Sequence, residues 1–138
     1  PETHLIPLLL QTALKKNSFF TIFGDDHPTL DGTAIRDFIH VSDLAEAHVL
    51  ALDWIIKNKS SISVNLGTGQ GNSVKTVIKE VENILATPIP IKIGERLSED
   101  PPVLVANSSK ARQILKWEPK FSSLNQIIHT AWQWHKKR

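Results

Sequence analysis

The apolar positions of the chain switch repeatedly between a helical and a strand period. Leu5, Ile6, Leu9, Leu10, Ala13 and Leu14 recur at helical spacing. They predict a first helix with Thr3 as N-cap, Pro7 in the first turn, where a missing N–H is tolerated, and Lys15-Lys16-Asn17 at its end. A strand over 19–23 closes on Gly24-Asp25-Asp26, and Asp31-Gly32-Thr33 reads as a turn. Residues 35–41 carry β-branched and aromatic side chains and predict a short strand; Ser42-Asp43 then cap a helix starting at Leu44, with Glu46 in its first turn. That helix places Leu44, His48, Ala51, Leu52, Ile55 and Ile56 on one side, with His48 a packed core or boundary residue. An apolar strand is expected over 62–66, then a glycine loop. Val74, Val77, Ile78, Val81, Ile84 and Leu85 predict a helix at i, i+3, i+4, i+7 spacing. Strands follow over 89–93 and 103–106, separated by a polar connection. Asn107-Ser108-Ser109 cap a helix that runs through Leu115 and is broken by Trp117-Glu118-Pro119. A last helix aligns Leu124, Ile127, Ile128, Ala131 and Trp134. Strands alternate with helices and no segment repeats, so the fold class is α/β.

Composition narrows the function classes. The 138 residues are 41% hydrophobic and 22% charged, an ordinary globular balance with length for a core. The net charge of +2 argues against nucleic acid or an anionic membrane as partner, and the basic run Lys136-Lys137-Arg138 reads as a solvated tail. No apolar run approaches the roughly 18 residues of a membrane-spanning helix. With no cysteine, disulfides and thiolate metal sites are excluded, and a reducing cytoplasm fits. Neither Met nor Tyr occurs, not even Met at position 1, so the chain is expected to be a piece of a longer one.

Two stretches carry candidate chemistry. Arg36, between strand hydrophobes and beside a loop, is either half of an exposed Arg36–Asp37 pair or a fork for a phosphate or carboxylate. Gly67-x-Gly69-x-Gly71 between a strand and a helix invites comparison with a dinucleotide fingerprint. The third glycine of that fingerprint belongs three residues after the second, where Asn72 stands. The loop therefore reads as a tight turn at Gly67 and Gly69 followed by a helix capped by Ser73.

Residues 31–48, DGTAIRDFIHVSDLAEAH, resemble the DGT-x-x-RDY-IHV-x-DLA-x-AH signature of the UDP-glucose 4-epimerases, extended short-chain dehydrogenase/reductases; Phe38 replaces the usual Tyr. PETHLIPLLLQTAL, TIFGDDHPTLDGT, VNLGTGQGNSV, ERLSEDPPVLVANSSKAR and LKWEP extend the resemblance over nearly the whole chain, in the family's order. It implies the C-terminal portion of an NAD(P)-binding Rossmann-type enzyme: a small mixed α/β substrate-binding domain over 1–138, with the NAD-binding part absent from this chain. By the resemblance Arg36 contacts the diphosphate of a UDP-sugar, Leu5 with His4 lies along the nucleotide, and Thr21, Ile22 and Phe23 border the uracil. Arg96 and Asp100 keep two positions of the family's Glu-Arg-Arg-x-Gly-Asp loop, while Leu97 and Glu99 replace its second Arg, a phosphate ligand, and its Gly. The family's glycine-rich NAD loop and Ser…Tyr-x-x-x-Lys set lie upstream of the matched region, so no catalytic, cofactor or metal residue is assigned here. The implied activity interconverts UDP-glucose and UDP-galactose with NAD: C4 is oxidised, the 4-keto sugar rotates, and it is reduced from the other face. A cytoplasmic homodimer is expected. The alternatives are a related nucleotide-sugar dehydratase or decarboxylase, and a non-catalytic α/β module binding a nucleotide or a protein.

Overall fold

The computed structural model describes residues 2–137; Arg138 of the expected tail lies outside them. The elements in order are α1 (Leu5–Ala13), β1 (Phe20–Phe23), β2 (Ile35–Asp37), α2 (Val41–Asn58), β3 (Gly71–Ser73), α3 (Val74–Leu85), β4 (Ile91–Gly94), β5 (Val103–Leu104), α4 (Ser109–Leu115) and α5 (Leu124–His135). They build two small sheets. In the first, β1 and β4 run parallel, with Phe20 opposite Ile91 and Phe23 opposite Gly94. In the second, β2 lies between antiparallel β3 and parallel β5. The larger core joins α1, α3 and α5 to the inner face of β1, through Leu9, Leu10, Ile22, Val77, Val81 and Ile128 among others. Burying each such side chain contributes roughly 1.5–3 kcal/mol before entropy is counted. A smaller core gathers Ala47, Ala111, Leu115 and Trp117, with Ile62, Val64 and Leu66 packed against it.

The mixed α/β class stands, and α3 runs as its spacing predicts, with the Ser73 side chain accepting the Thr76 N–H. Other boundaries differ for physical reasons. His4, not Thr3, precedes α1, and no side chain caps that helix. β2 ends at Asp37, and α2 begins at Val41, three residues earlier than expected. Its cap is His40, whose Nδ1 accepts from the Ser42 N–H, so Asp43 falls within the first turn. His48 is exposed, its Nδ1 turned back to the Leu44 carbonyl at 2.7 Å. In α5, Trp132 packs on the core while Trp134 is exposed. Residues 62–66 turn alternate side chains inward, yet among the described residues they join no strand ladder. The sequence does not predict β3, because Gly71-Asn72-Ser73 has little strand propensity.

Asp43 explains why α2 begins where it does. It is completely buried, and its carboxylate accepts the N–H groups of Lys120 and Phe121, both at 2.9 Å, and the Ser122 hydroxyl at 2.5 Å. Its carbonyl takes the indole N–H of buried Trp117. One residue thereby closes the turn between α4 and α5 onto the start of α2. Burial opposes the charged form of Asp43; the bonds from Ser122, Lys120 and Phe121 outweigh it and hold the carboxyl below its usual range. The same balance, with Ser73 and Thr33 as donors, lowers Asp31. A folded-state value below the unfolded one adds stability above the ordinary carboxylate pKa, and that stability disappears as pH falls through the lower value. Denaturant unfolding should therefore show little change from pH 7 to 5 and a decline below about pH 4. Asp43→Asn should cost roughly 2–4 kcal/mol at pH 7 and flatten that acid decline. An acid slope equal to that of the unsubstituted chain would remove Asp43 as its source.

Candidate functional site

β1 and β2 come from different sheets and stand on two sides of a cavity of about 230 Å³. Its wall includes Leu5 at the start of α1, Thr21, Ile22 and Phe23 of β1, Arg36 of β2, and Asp100 with Leu97 from the 95–102 connection. Six of the eight candidate residues thus meet in one place. The other two do not line it. His4 is turned to Glu2, Nδ1 to Oε1 at 2.7 Å, with its side chain 84% exposed. Arg96 is exposed and packs over Gly24, which does line the cavity; a Cβ on Gly24 would lie 2.8 Å from the Arg96 Cβ. A neighbouring hollow of about 400 Å³ shares Leu5, Phe20, Thr21 and Phe23 with the cavity. A more open one of about 600 Å³ lies between 64–66 and 104–107 and holds only Arg36 of the candidates.

Arg36 is held on two sides. One terminal nitrogen donates to the Ile35 carbonyl at 2.7 Å, and the other pairs with the Asp100 carboxylate. Both side chains are mostly shielded, at 24% and 29% exposure. The Arg36–Asp37 pair, one of the two alternatives for this arginine, does not form. Successive strand residues point to opposite faces, and the Asp37 carboxylate accepts instead from Thr68 N–H (3.0 Å), Thr68 hydroxyl (2.5 Å), Gly69 N–H (2.9 Å) and Ala106 N–H (3.3 Å). The strand that carries the cation is therefore anchored, through its next residue, to the glycine loop and to the residues after β5.

That anchoring also decides what the glycine loop can hold. A dinucleotide loop offers its free N–H groups to a pyrophosphate, whereas here the loop's N–H groups at Thr68 and Gly69 already serve the Asp37 carboxylate. A Cβ on Gly67 would lie 2.5 Å from both the Asp37 carboxylate and the Ala106 Cβ. The loop does not fit a cofactor phosphate. Gly69 has φ +79°, as a tight turn requires, and Ser73 caps the helix after it.

Phe20, Gly24, Ala34, Phe38 and Val74 also line the cavity without having been singled out. Phe38 lies two residues from Arg36 in an extended run, so strand periodicity was a signal for it. Val74 had none, since it reaches the wall through its N–H bond to the Ala34 carbonyl at 3.0 Å.

The chain is similar in sequence and fold to known proteins. Residues 2–67 match the model of the NAD dependent epimerase/dehydratase family. A UDP-glucose 4-epimerase of Halalkalibacterium halodurans is 51% identical over 99% of this chain and 41% of its own length. A crystal structure of a UDP-glucose 4-epimerase superposes with TM-score 0.95 at 46% identity, over all of this chain and 42% of that one. The chain is a relative of the UDP-glucose 4-epimerases. The enzyme of this name from Stenotrophomonas maltophila, solved with bound NAD and formylated UDP-arabinopyranose, superposes with TM-score 0.93 at 38% identity, over 99% of this chain and 40% of that one. The chain thus spans about 40% of the length of the epimerases it matches.

The two glycines should respond differently to alanine. At Gly69 only the positive φ is violated, at a cost of about 1 kcal/mol. At Gly67 the new methyl meets a carboxylate held by four hydrogen bonds, and overpacking of that kind costs about 1–3 kcal/mol or more. Thermal unfolding of Gly67→Ala and Gly69→Ala should rank Gly67→Ala lower; the reverse order would show that Asp37 is free to move away.

Proposed function

We propose that residues 1–138 are the C-terminal, UDP-sugar-binding part of an NAD-dependent UDP-glucose 4-epimerase, with NAD held by polypeptide outside these residues. The observation that supports this most directly is the meeting of Arg36, Asp100, Leu5, Thr21, Ile22 and Phe23 on one cavity wall. A guanidinium together with apolar and aromatic side chains on one wall suits a ligand with a charged diphosphate and a flat base. The adjoining hollow supplies length that 230 Å³ alone does not. In this reading Arg36 grips the diphosphate, Leu5 and the 21–23 strand border the nucleoside, and Arg96, at the cavity edge over Gly24, and His4 approach from outside. UDP-glucose and UDP-galactose are the substrates. A cytoplasmic homodimer accompanies this reading on family resemblance alone.

Leu97 on the wall, where the family carries a second phosphate-binding Arg, concentrates the electrostatic work on Arg36. A charge-assisted hydrogen bond contributes roughly 1.5–3 kcal/mol, so Arg36→Ala in the native polypeptide should weaken UDP by about ten- to a hundredfold. Leu97→Arg should tighten UDP, with a gain that shrinks as salt rises because partly exposed charges are screened. Calorimetry with UDP at two salt concentrations measures both. If Arg36→Ala binds UDP as the unsubstituted protein does, Arg36 is only the structural partner of Asp100.

The 138 residues on their own should not turn over UDP-galactose. They contain no Tyr to take the sugar hydroxyl proton, and their glycine loop is closed by Asp37. A coupled assay of the purified polypeptide with added NAD should match a heat-inactivated control. Any rate above that control counts against the division of labour.

A further inference from the structure

We propose that Asp100 is an internal competitor for the anion seat of Arg36, and so a residue that sets the affinity for the diphosphate. The proposal rests on the reading of Arg36 as the diphosphate ligand. Arg36 is the one cationic side chain on the cavity wall among the described residues, since Leu97 there is neutral and Arg96 stands outside. Its guanidinium has both terminal nitrogens donating within the protein, to the Ile35 carbonyl and to Asp100. A phosphate that approaches this fork must share or displace the Asp100 carboxylate, and while it shares, two anions face one cation. Where a second arginine stands beside the first, its charge offsets such an aspartate. Leu97 offers no such offset.

The position of Asp100 gives the competition a structural consequence. It belongs to the 95–102 connection, which leaves β4 of one sheet and enters β5 of the other. Among the described residues, no other side chain of this connection makes a hydrogen bond or ion pair with the rest of the fold. The Arg36–Asp100 pair is therefore the side-chain tie that draws the middle of the connection, and Leu97 with it, onto the cavity, while the Ile35 N–H bond to the Pro102 carbonyl at 2.8 Å holds its end. A ligand that takes Arg36 loosens the same tie, so the affinity measured for a diphosphate is what remains after the charge of Asp100 has been opposed or displaced.

This predicts a sign opposite to that of an ordinary ligand-binding aspartate. Asp100→Asn keeps an oxygen that can accept from Arg36 but removes the charge. The Coulomb interaction between unit charges about 6 Å apart, at an effective dielectric of about 40–80, corresponds to roughly a three- to tenfold change in affinity. Calorimetry on the native polypeptide should use inorganic pyrophosphate, which has no ribose or base for Asp100 to contact, and UDP in parallel. Asp100→Asn should tighten pyrophosphate by about three- to tenfold, and Asp100→Ser, which removes the same charge with a smaller group, should tighten it as well. In an Arg36→Ala background the gain should be smaller, because the seat being contested is gone. Circular dichroism melts of each variant establish that the protein titrated is folded. If Arg36→Ala weakens both ligands while neither Asp100 variant tightens pyrophosphate, the competition is overturned and the diphosphate reading stands. If Arg36→Ala leaves UDP binding unchanged, the reading itself fails and the competition fails with it.

Discussion

Three carboxylates spaced six residues apart, Asp31, Asp37 and Asp43, hold distant parts of the chain to one stretch. Asp31 accepts from Thr33 beside it and from the Ser73 hydroxyl at the head of α3. Asp37 gathers the glycine loop and Ala106, and Asp43 gathers the turn at 120–122. A shielded carboxylate is costly unless its oxygens are fully provided with donors, and removing one donor leaves an uncompensated charge. Such contacts specify the fold as well as stabilising it. Each aspartate accepts one arrangement of its remote partner and penalises the others.

The cavity is a consequence of those ties. β2 is short, three residues, and would not hold an arginine steady by ladder bonds alone. Asp37 fixes the strand from behind, so that Arg36 projects forward between Ile35 and Asp100. Asp31 draws in Ser73, and Ser73 caps α3 so that Val74 reaches the wall. Polar anchors on one side of the stretch thus place apolar and cationic side chains on the other, and the site inherits its rigidity from residues that no ligand would touch.

What was legible in the sequence follows from the range of the interactions. α3 could be read because its cap, its stripe and its preceding turn are all local, from Gly69 through Ser73 to Leu85. The start of α2 could not. Ser42 and Asp43 have the composition of a cap, but Asp43 is committed to residues 120–122, and His40 takes the capping role instead. β3 is a strand by imposition, since pairing with Ile35 through Asp37 extends a glycine, an asparagine and a serine that would not choose it. The placing of Leu5, Thr21, Ile22, Phe23, Arg36 and Asp100 came from family resemblance, because periodicity assigns a face and not a partner across two sheets. The replacement of Asp37 by Asp100 as the partner of Arg36 is the same limitation at the scale of a single bond.

The miss at His48 has a more general cause. α2 buries Asp43 and Ala47, with Leu50, Ala51 and Trp54 leaning the same way, while Val49, Leu52 and Ile56 form a second apolar stripe that is exposed. Counting at a period of 3.6 assumes one apolar face, and a helix with two lets the count settle on the wrong one. The segment at 62–66 shows a different ambiguity, in strand form. Its alternation is correct, since Ile62, Val64 and Leu66 do turn to the core around Trp117, but alternation reports side chains and a strand is defined by its backbone partners. The two elements are consecutive, but only α2 is apolar beyond what the core consumes; the outward positions of 62–66 are the polar Ser63 and Asn65. The pattern of α2 therefore offers the count two faces, whereas that of 62–66 offers one and leaves only its backbone partners unstated.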